Sequence, residues 1–543
     1  MTCPTRDVLI VGAGPTGLVL ALWLARLGVK PRLIDKTAEP GTTSRALAVH
    51  ARTLELYRQL DLAQVVLERG HKVPAIRLWV KGEPRARIDF EEIASDLTPY
   101  SFLQIFPQDE NERLLIARLE ELGVSVERRT ELIGYRDEGN RVVAHLRLPD
   151  GRDETWEAAY IAGCDGAHSI VRQTMGMGFP GGTYRQLFYV ADVQASGPAL
   201  DGELHVDLEE ADFLGVFPLA GKGRARLIGT IRDRPASTES VPFIPAKAGT
   251  QSHGPWSLDS RLRGNERSLS TDRAETLKFQ DVSRRIIDNL KVEVETVNWF
   301  ATYHTHHRVT EHFRKGRAFL LGDAAHIHSP AGGQGMNTGI GDAINLAWKL
   351  HAVIAGRAPD ALLDSYELER IAFARRLVQT TDRVFTVATA EGKLAGIIRT
   401  RIMPTVLPAL ARFEVFREFL FRTVSQITIN YRHCTLNAGQ AGRVHGGDRL
   451  PWVAVDDSDN YEPLRAITWQ VHVYGTAKAE LVTWCKEHGL PLHVFAWRPE
   501  YEKAGFAQGA LYLIRPDTYI GLAHGAGAPD ALERYLDERN ITI

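Results

Sequence analysis

Residues 7–28 read DVLIVGAGPTGLVLALWLARLG. Asp7 to Val11 is a short apolar run rich in branched residues, which suits a buried strand. Gly12-Ala13-Gly14-Pro15-Thr16-Gly17 follows, and then an apolar helical stretch carrying Ala21. The next segment, PRLIDK, predicts a second strand ending at Asp35 and Lys36. Strand, glycine turn, helix and strand in that order open a doubly wound α/β domain. Each glycine of Gly12-x-Gly14-x-x-Gly17 has its own task. Gly12 permits the tight turn, Gly14 has no side chain to block a pyrophosphate, and Gly17 with Ala21 lets the helix pack closely on the strand. The helix begins at Pro15 and Thr16 and aims its amide-rich end at the phosphates. Asp35 lies 18 residues after Gly17, where a carboxylate can accept both ribose hydroxyl protons. The pattern predicts a dinucleotide without separating FAD from NAD.

A second glycine-bearing bend stands far down the chain. Gly316 to His326 reads GRAFLLGDAAH, and Pro330 to Asn337 reads PAGGQGMN at the start of a helix. Asp323 ends a buried strand, where a carboxylate can hydrogen-bond a polyol such as flavin ribitol. The turn through Gly333, Gly335, Met336 and Asn337 brings backbone amides and a helix dipole to an electron-rich edge. For a flavin that edge is N1 and the C2 carbonyl, where negative charge gathers on reduction.

The remaining composition bounds what else the chain can be. At 543 residues, and roughly 150 residues per domain, three or four structural units are expected. Sixty-five Lys and Arg against 67 Asp and Glu leave a formal charge of −2, which gives no reason to expect a nucleic-acid or membrane-surface partner. Cys3, Cys164, Cys434 and Cys485 are far apart and form no CxxC pair, so neither a zinc site nor a dithiol centre is read. His326 and His328 flank the second bend, but two histidines without a third ligand make a poor metal site. The start lacks the features of a signal peptide, and Leu18–Leu27 is too short to span a bilayer, so a cytoplasmic location is expected.

Periodicity divides the chain further. Arg52–Leu60 and Asn111–Leu122 predict helices, while Val142–Leu148 and Glu154–Ile161 alternate like strands of a small antiparallel sheet. Residues 1–183 are therefore read as the first part of a dinucleotide-binding domain. Short strands from Tyr184 to Asp233 begin a sheet-based substrate domain, taken as residues 184–300. Its residues 241–273 are polar, rich in Ser, Gly, Pro and Arg, and read as a flexible insertion resembling a translated bacterial intergenic repeat. Residues 301–390 return to the first domain and add long helices over 337–355 and 361–390. A helical linker over 391–440 leads to a small α/β unit over 441–543.

Three motifs together carry a family resemblance: the first glycine turn, Cys164-Asp165-Gly166-Ala167-His168-Ser169-Ile170-Val171-Arg172, and Gly322-Asp323 with its Pro-x-x-Gly-x-Gly-x-Asn extension. The chain resembles the single-component FAD-dependent aromatic hydroxylases, the group that includes para-hydroxybenzoate hydroxylase. It is most similar to the larger branch with pentachlorophenol hydroxylase and the polyketide hydroxylases, across nearly its whole length except the insertion. The resemblance implies a Rossmann-like FAD domain interleaved with a sheet-based substrate domain, followed by a thioredoxin-like C-terminal domain. With Cys485 alone that last domain could do no dithiol chemistry, which leaves it a structural or subunit-contact role. Carried over by position, Arg45 would contact the pyrophosphate side of FAD and Gln108 the ribityl region. Asp165 and Gly166 would hold the flavin-side loop, with Arg172 bracing it and helping to recognise the nicotinamide cofactor. Pro330 would lie beside flavin C4a, and Arg226 would face flavin and substrate.

Only one GxGxxG follows a strand and opens a helix, since Gly176–Gly181 repeats the spacing in a loop-like context. NAD(P)H would therefore dock transiently, without a domain of its own. The resemblance implies hydroxylation of a phenolic or polycyclic aromatic substrate with NAD(P)H and O2, through a flavin C4a-hydroperoxide. It also suggests a homodimer. A catalytic base is expected for a phenol, and His205, Tyr184 and Tyr189 are candidates among which the sequence does not choose. Two alternatives stay open: an FAD-dependent oxidase or reductase without oxygen insertion, and a flavin-binding protein without turnover. None of the ten Trp residues forms the Trp-x-Trp of related halogenases.

Overall fold

The computed structural model describes residues 8–41, 46–80, 82–208, 213–231, 277–328, 331–389 and 413–543. The opening apolar run is the buried strand Val8–Val11, paired in parallel with Pro31–Asp35 on one side and Tyr160–Gly163 on the other. Strands covered on both faces need continuous apolar runs, and VLIV supplies one. Helix Pro15–Arg26 makes the crossover and buries every residue from Gly17 to Leu24. Ala318–Leu320 lies beside Tyr160–Gly163, so the second glycine bend leaves the same six-stranded sheet as the first.

The segment Glu154–Ile161, expected as one strand, is divided between two sheets. Asp153–Ala158 pairs antiparallel with Val142–Arg147, whereas Tyr160–Gly163 enters the parallel sheet. The physical reason is visible in the residues: polar–apolar alternation stops at Ala158, and YIAG is buried throughout.

An eight-stranded sheet forms the second layer. Its strands include Gly181–Ser196, Leu204–Leu208, Phe213–Pro218, Arg224–Ile231 and Glu293–Val309. Ala75–Val80 and Glu83–Asp89 add one edge, a contribution from early in the chain that periodicity did not announce. His326–Ile327 closes the other edge, so the sheet touches the second glycine bend directly. One face packs on Ile286, Ile287 and Leu290 of a short helix. The opposite face is continuous with the core of the parallel sheet. The insertion at 241–273 lies outside the described residues.

Helix Gln334–Ile354 runs beneath the second bend, and Asp364–Thr389 packs nearby. Residues 390–412 of the expected linker lie outside the described residues, and Glu414–Val424 is helical. A mixed six-stranded sheet then begins at Ala438 and carries helices Ala479–Glu487 and Asp530–Arg539. Cys434 and Cys485 are buried and free. Among the described residues no helix is long and apolar enough to cross a membrane.

Candidate functional site

At the first bend the three glycines separate by what surrounds them. Gly12 has φ +101°, and a Cβ there would meet the Cys164 carbonyl oxygen at 2.4 Å. A Cβ on Gly17 would stand 2.0 Å from the Gly12 carbonyl oxygen. Those two are glycines for packing. Gly14 differs: a Cβ would meet nothing within 4 Å. No side chain caps the helix that starts there, so its first-turn amides face that open space. Asp35 Oδ2 accepts the Ala13 amide at 2.7 Å, and Oδ1 accepts the Thr37 amide at 2.7 Å and hydroxyl at 2.6 Å. The strand end thus holds its carboxylate against the turn, with Lys36 exposed beside it.

At the second bend the Leu321 amide donates to the Gly163 carbonyl at 3.0 Å, and Gly322 turns at φ +56°. Asp323 is exposed between buried Gly322 and Ala324. Gly332 and Gly333 follow in the left-handed region, and Gln334–Ile354 starts without a side-chain cap. A Cβ on Gly335 would have only the His328 ring within 4 Å, at 3.8 Å. The two bends abut through Thr16. A Cβ on Gly322 would approach its hydroxyl oxygen to 2.7 Å, and one on Gly339 to 2.3 Å.

The glycine turn is held by side chains from another part of the chain. Asn337 Nδ2 donates to the carbonyls of Ala48 (2.8 Å) and Gly333 (2.9 Å). Its Oδ1 accepts the His50 amide at 2.9 Å and the Thr53 hydroxyl at 2.7 Å. The Asn337 side chain therefore serves the turn itself, and what the helix start offers a ligand is backbone. His50 Nε2 lies 2.9 Å from the Gly332 carbonyl. Burial pushes this imidazole down to about 4, so it is neutral near pH 7 and donates from Nε2. Met336 packs nearby, its sulfur accepting from Asn111 Nδ2 at 3.8 Å. Gln108 begins helix Gln108–Glu121, with its amide on the Ala46 carbonyl and its Nε2 on Glu112.

The middle motif lies between the bends. Asp165 Oδ2 accepts the amides of Ile170 (2.7 Å) and Val171 (3.3 Å), which fixes helix Ile170–Thr174. Its Oδ1 is buried without a hydrogen-bond partner among the described residues, and burial pushes the carboxyl up. Gly166 turns at φ +74° with open space around it. Arg172 donates to the Ala324 carbonyl at 2.8 Å and the Ala167 carbonyl at 2.6 Å, tying this loop to the second bend. Arg45 and Pro330 lie outside the described residues.

On the sheet, Arg226 is buried on the face that looks toward the parallel-sheet core and pairs with Asp192. The candidate bases part company here. His205 takes the Trp79 indole proton on Nδ1 at 2.9 Å and lies 2.8 Å from Asp201 through Nε2, so both ring nitrogens are engaged on the outer face. Tyr189 stacks on Phe300 on that same outer face. Tyr184 packs against the inner core, its ring 4.8 Å from that of His307.

His50, Thr53, Asp342 and Arg370 support the bends without belonging to any of the three sequence motifs. A signal existed for part of this set. Thr338, Asp342, Asn345 and Lys349 recur at helical spacing in a helix whose other residues from Gly339 to Leu350 are apolar, and all are buried. Asp342 binds His326 Nε2 at 2.7 Å and Arg370 Nε at 2.6 Å, which gives His326 a structural partner. Among the described residues no group of His, Cys, Asp and Glu is placed to hold a metal. The open space at Gly14, the unpartnered Asp165 Oδ1, the exposed Asp323 and two uncapped helix starts together fit an elongated dinucleotide with a polyol and an anionic centre.

Comparison with known proteins agrees. The model of the FAD binding domain family matches residues 5–381. A flavin-dependent monooxygenase of Mycobacteroides abscessus is 30% identical over 535 residues, covering 96% of this chain and 97% of its own. The 6-methylpretetramide 4-monooxygenase of Streptomyces rimosus is 36% identical over 473 residues, covering 85% and 76%. Among solved structures, the OxyS anhydrotetracycline hydroxylase of Streptomyces rimosus superposes with a TM-score of 0.73 at 26% identity, covering 99% of each chain.

Proposed function

Because the chain belongs to the FAD binding domain family and is an FAD-dependent monooxygenase of the aromatic hydroxylase type, we propose that it hydroxylates a phenolic or polycyclic aromatic compound with NAD(P)H and O2. FAD, when bound, would supply the redox chemistry of such a hydroxylation, in which NAD(P)H is the reductant, one atom of O2 enters the ring and the other leaves as water. The protein's part is to bind, orient and keep water out.

Gly14 and the start of helix Pro15–Arg26 would take the pyrophosphate, with Asp35 at the ribose next to them. Asp323 would hold the ribityl hydroxyls, and the amides from Gly333 to Met336 would face the edge that gathers negative charge. Arg172 fixes the Asp165 loop against Ala324 and so sets the wall between the two bends. The inner face of the eight-stranded sheet would hold the ring. Tyr184, on the inner side, is the better-placed of the three candidates for moving a phenol proton at its hydroxyl oxygen. Pro330 and Arg45 keep the roles the resemblance implies. The same resemblance supports a cytoplasmic homodimer, which fractionation and light scattering would test.

One observation carries the reading: the uncapped helix start at Gly14 and Thr16 abuts the distant second bend at Gly322 and the following helix at Gly339, leaving open space at Gly14 and an exposed acid at Asp323. The test is to load the protein with FAD and screen phenols and fused-ring compounds for stimulated NAD(P)H oxidation. Oxygen uptake and a product heavier by one oxygen support the proposal. NAD(P)H consumption without a hydroxylated product under every compound would favour an oxidase.

A further inference from the structure

Taking the hydroxylase reading as ground, we propose that Asp192 is a specificity-determining residue that makes the site select uncharged aromatic rings over carboxylated ones, because it occupies the buried cation on the ring-binding face. That face is built from half-buried apolar side chains, among them Ile76, Leu78, Val206, Phe217, Trp299 and Ala301. Side chains two residues apart along a strand share a face. By that rule Asp192 follows Phe188 and Val190 onto it, and Arg226 shares it with Ile228.

Arg226 is committed there. Its Nε donates to Asp192 Oδ1 at 2.6 Å and its Nη2 to Oδ2 at 2.8 Å, a two-pronged pair. The guanidinium also stands 5.6 Å from the centre of the Trp299 ring. The Arg226 side chain is 3% exposed and that of Asp192 20%, so both charges sit where an unpaired one is costly. A substrate carboxylate taking the Nε and Nη2 protons would have to evict Asp192, exchanging one ion pair for another and stranding a carboxylate on an apolar face, and one approaching elsewhere would meet a cation that Asp192 already neutralises. Arg224, two residues earlier, is exposed and donates to the Ala220 carbonyl at the strand's start.

The face does offer a neutral partner. Thr305 is 5% exposed, lies on the same side of its strand as Trp299, Ala301 and Tyr303, and its hydroxyl has no hydrogen-bond partner among the described residues. A buried hydroxyl of that kind suits a phenol or quinone oxygen. An uncharged ring bearing hydroxyl or carbonyl groups therefore matches the face, and a ring acid does not.

The test uses FAD-loaded enzyme and three probes: a dihydroxyanthraquinone, the same ring carrying one carboxylate, and the methyl ester of that acid. Binding is read from the perturbed flavin absorbance, independently of turnover. In the wild type the neutral ring and the ester should each bind at least about tenfold more tightly than the acid. Asp192→Asn should shrink that ratio at least about fivefold by releasing Arg226 to the acid. Adding Arg226→Met to it should restore the preference for the neutral ring. An ester that binds no better than the acid, or an unchanged ratio in Asp192→Asn that still holds FAD, overturns the proposal. If Asp192→Asn does not fold, the ester-to-acid ratio of the wild type decides alone. If no ring perturbs the flavin or stimulates NAD(P)H oxidation, the hydroxylase reading fails, and the inference with it.

Discussion

Asp342, wholly buried, accepts the Gly322 backbone amide on Oδ2 at 3.0 Å, so the turn that presents Asp323 hangs from a carboxylate on the helix beneath it. The same oxygen takes His326 Nε2, and Oδ1 takes Arg370 Nε. Burial alone would raise this carboxyl, but Arg370 and His326 outweigh it and hold it below the ordinary aspartate range. Asp342→Asn keeps the shape and removes the charge, leaving Arg370 buried against a neutral partner. Breaking a buried pair in this way should cost about 3–5 kcal/mol in denaturant unfolding. Because the folded carboxyl is depressed, its contribution is complete above the unfolded value near 3.9 and is lost as pH falls through the folded one. A variant as stable as the parent at pH 7 would show that the pair does not hold the turn.

His50 titrates on the other side of the turn. Its folded pKa is lowered to about 4 from 6.5, by burial first, with His328 adding to it against the Gly332 hydrogen bond. Below pH 6.5 the unfolded chain binds a proton that the folded one refuses, so stability should fall between pH 6.5 and 4, by up to roughly 3 kcal/mol. His50→Gln can still donate to the Gly332 carbonyl and has nothing to titrate there. Its stability should therefore be flatter over that window, as measured by thermal unfolding at half-unit pH steps. Parallel profiles for the two proteins would place the acid limb elsewhere.

The parallel sheet and both glycine bends are legible in the sequence because local rules write them. VLIV must be buried, Gly12 and Gly17 leave no room for a Cβ, and GRAFLLGD announces a strand entering a turn. The supports of the bends are not legible, since they are long-range. Asn337 and His50 meet across 287 positions, and nothing near either residue names the other. Asn337 reads as a ligand contact in sequence because a polar residue beside a glycine turn suits that role equally well. Only the four filled hydrogen bonds assign its side chain to the protein. The polar stripe of Thr338, Asp342, Asn345 and Lys349 was visible as spacing, but its meaning required the partners Arg370 and Glu369 on the next helix.

Gly12 and Gly14 should fail differently when given a methyl group. Gly12→Ala forces a positive φ and a 2.4 Å approach to the Cys164 carbonyl, so about 1–3 kcal/mol of stability or more should be lost. Gly14 has φ −76° and open space, so Gly14→Ala should unfold within about 0.5 kcal/mol of the parent. The space it fills is where the pyrophosphate is proposed to lie, and FAD affinity should drop at least about tenfold. Asp323→Ala should behave like Gly14→Ala, stable but poor in flavin retention after gel filtration. Full flavin occupancy in both variants would move the cofactor elsewhere.

The last contact to test joins the C-terminal unit to the catalytic one. Arg449 donates to Glu55 from Nε at 2.8 Å and from Nη2 at 2.5 Å, and Arg52 adds a third bond at 3.1 Å. Glu55 is 2% exposed and lies on helix Ala51–Arg58, the helix whose Thr53 hydroxyl and preceding His50 amide hold Asn337. Arg449→Met leaves the buried Glu55 charge with Arg52 as its one cation and the Thr98 hydroxyl as its other donor among the described residues, and should cost about 3–5 kcal/mol. Glu55→Gln in the same chain removes the stranded charge, so the double variant should recover part of that loss. The coupling energy from the four proteins, measured by denaturant unfolding, isolates the pair. If the C-terminal unit steadies the glycine turn through this helix, Arg449→Met should also weaken FAD binding, and the double variant should regain affinity along with stability. Additive losses in both measurements would mean that the two units fold side by side without sharing the site.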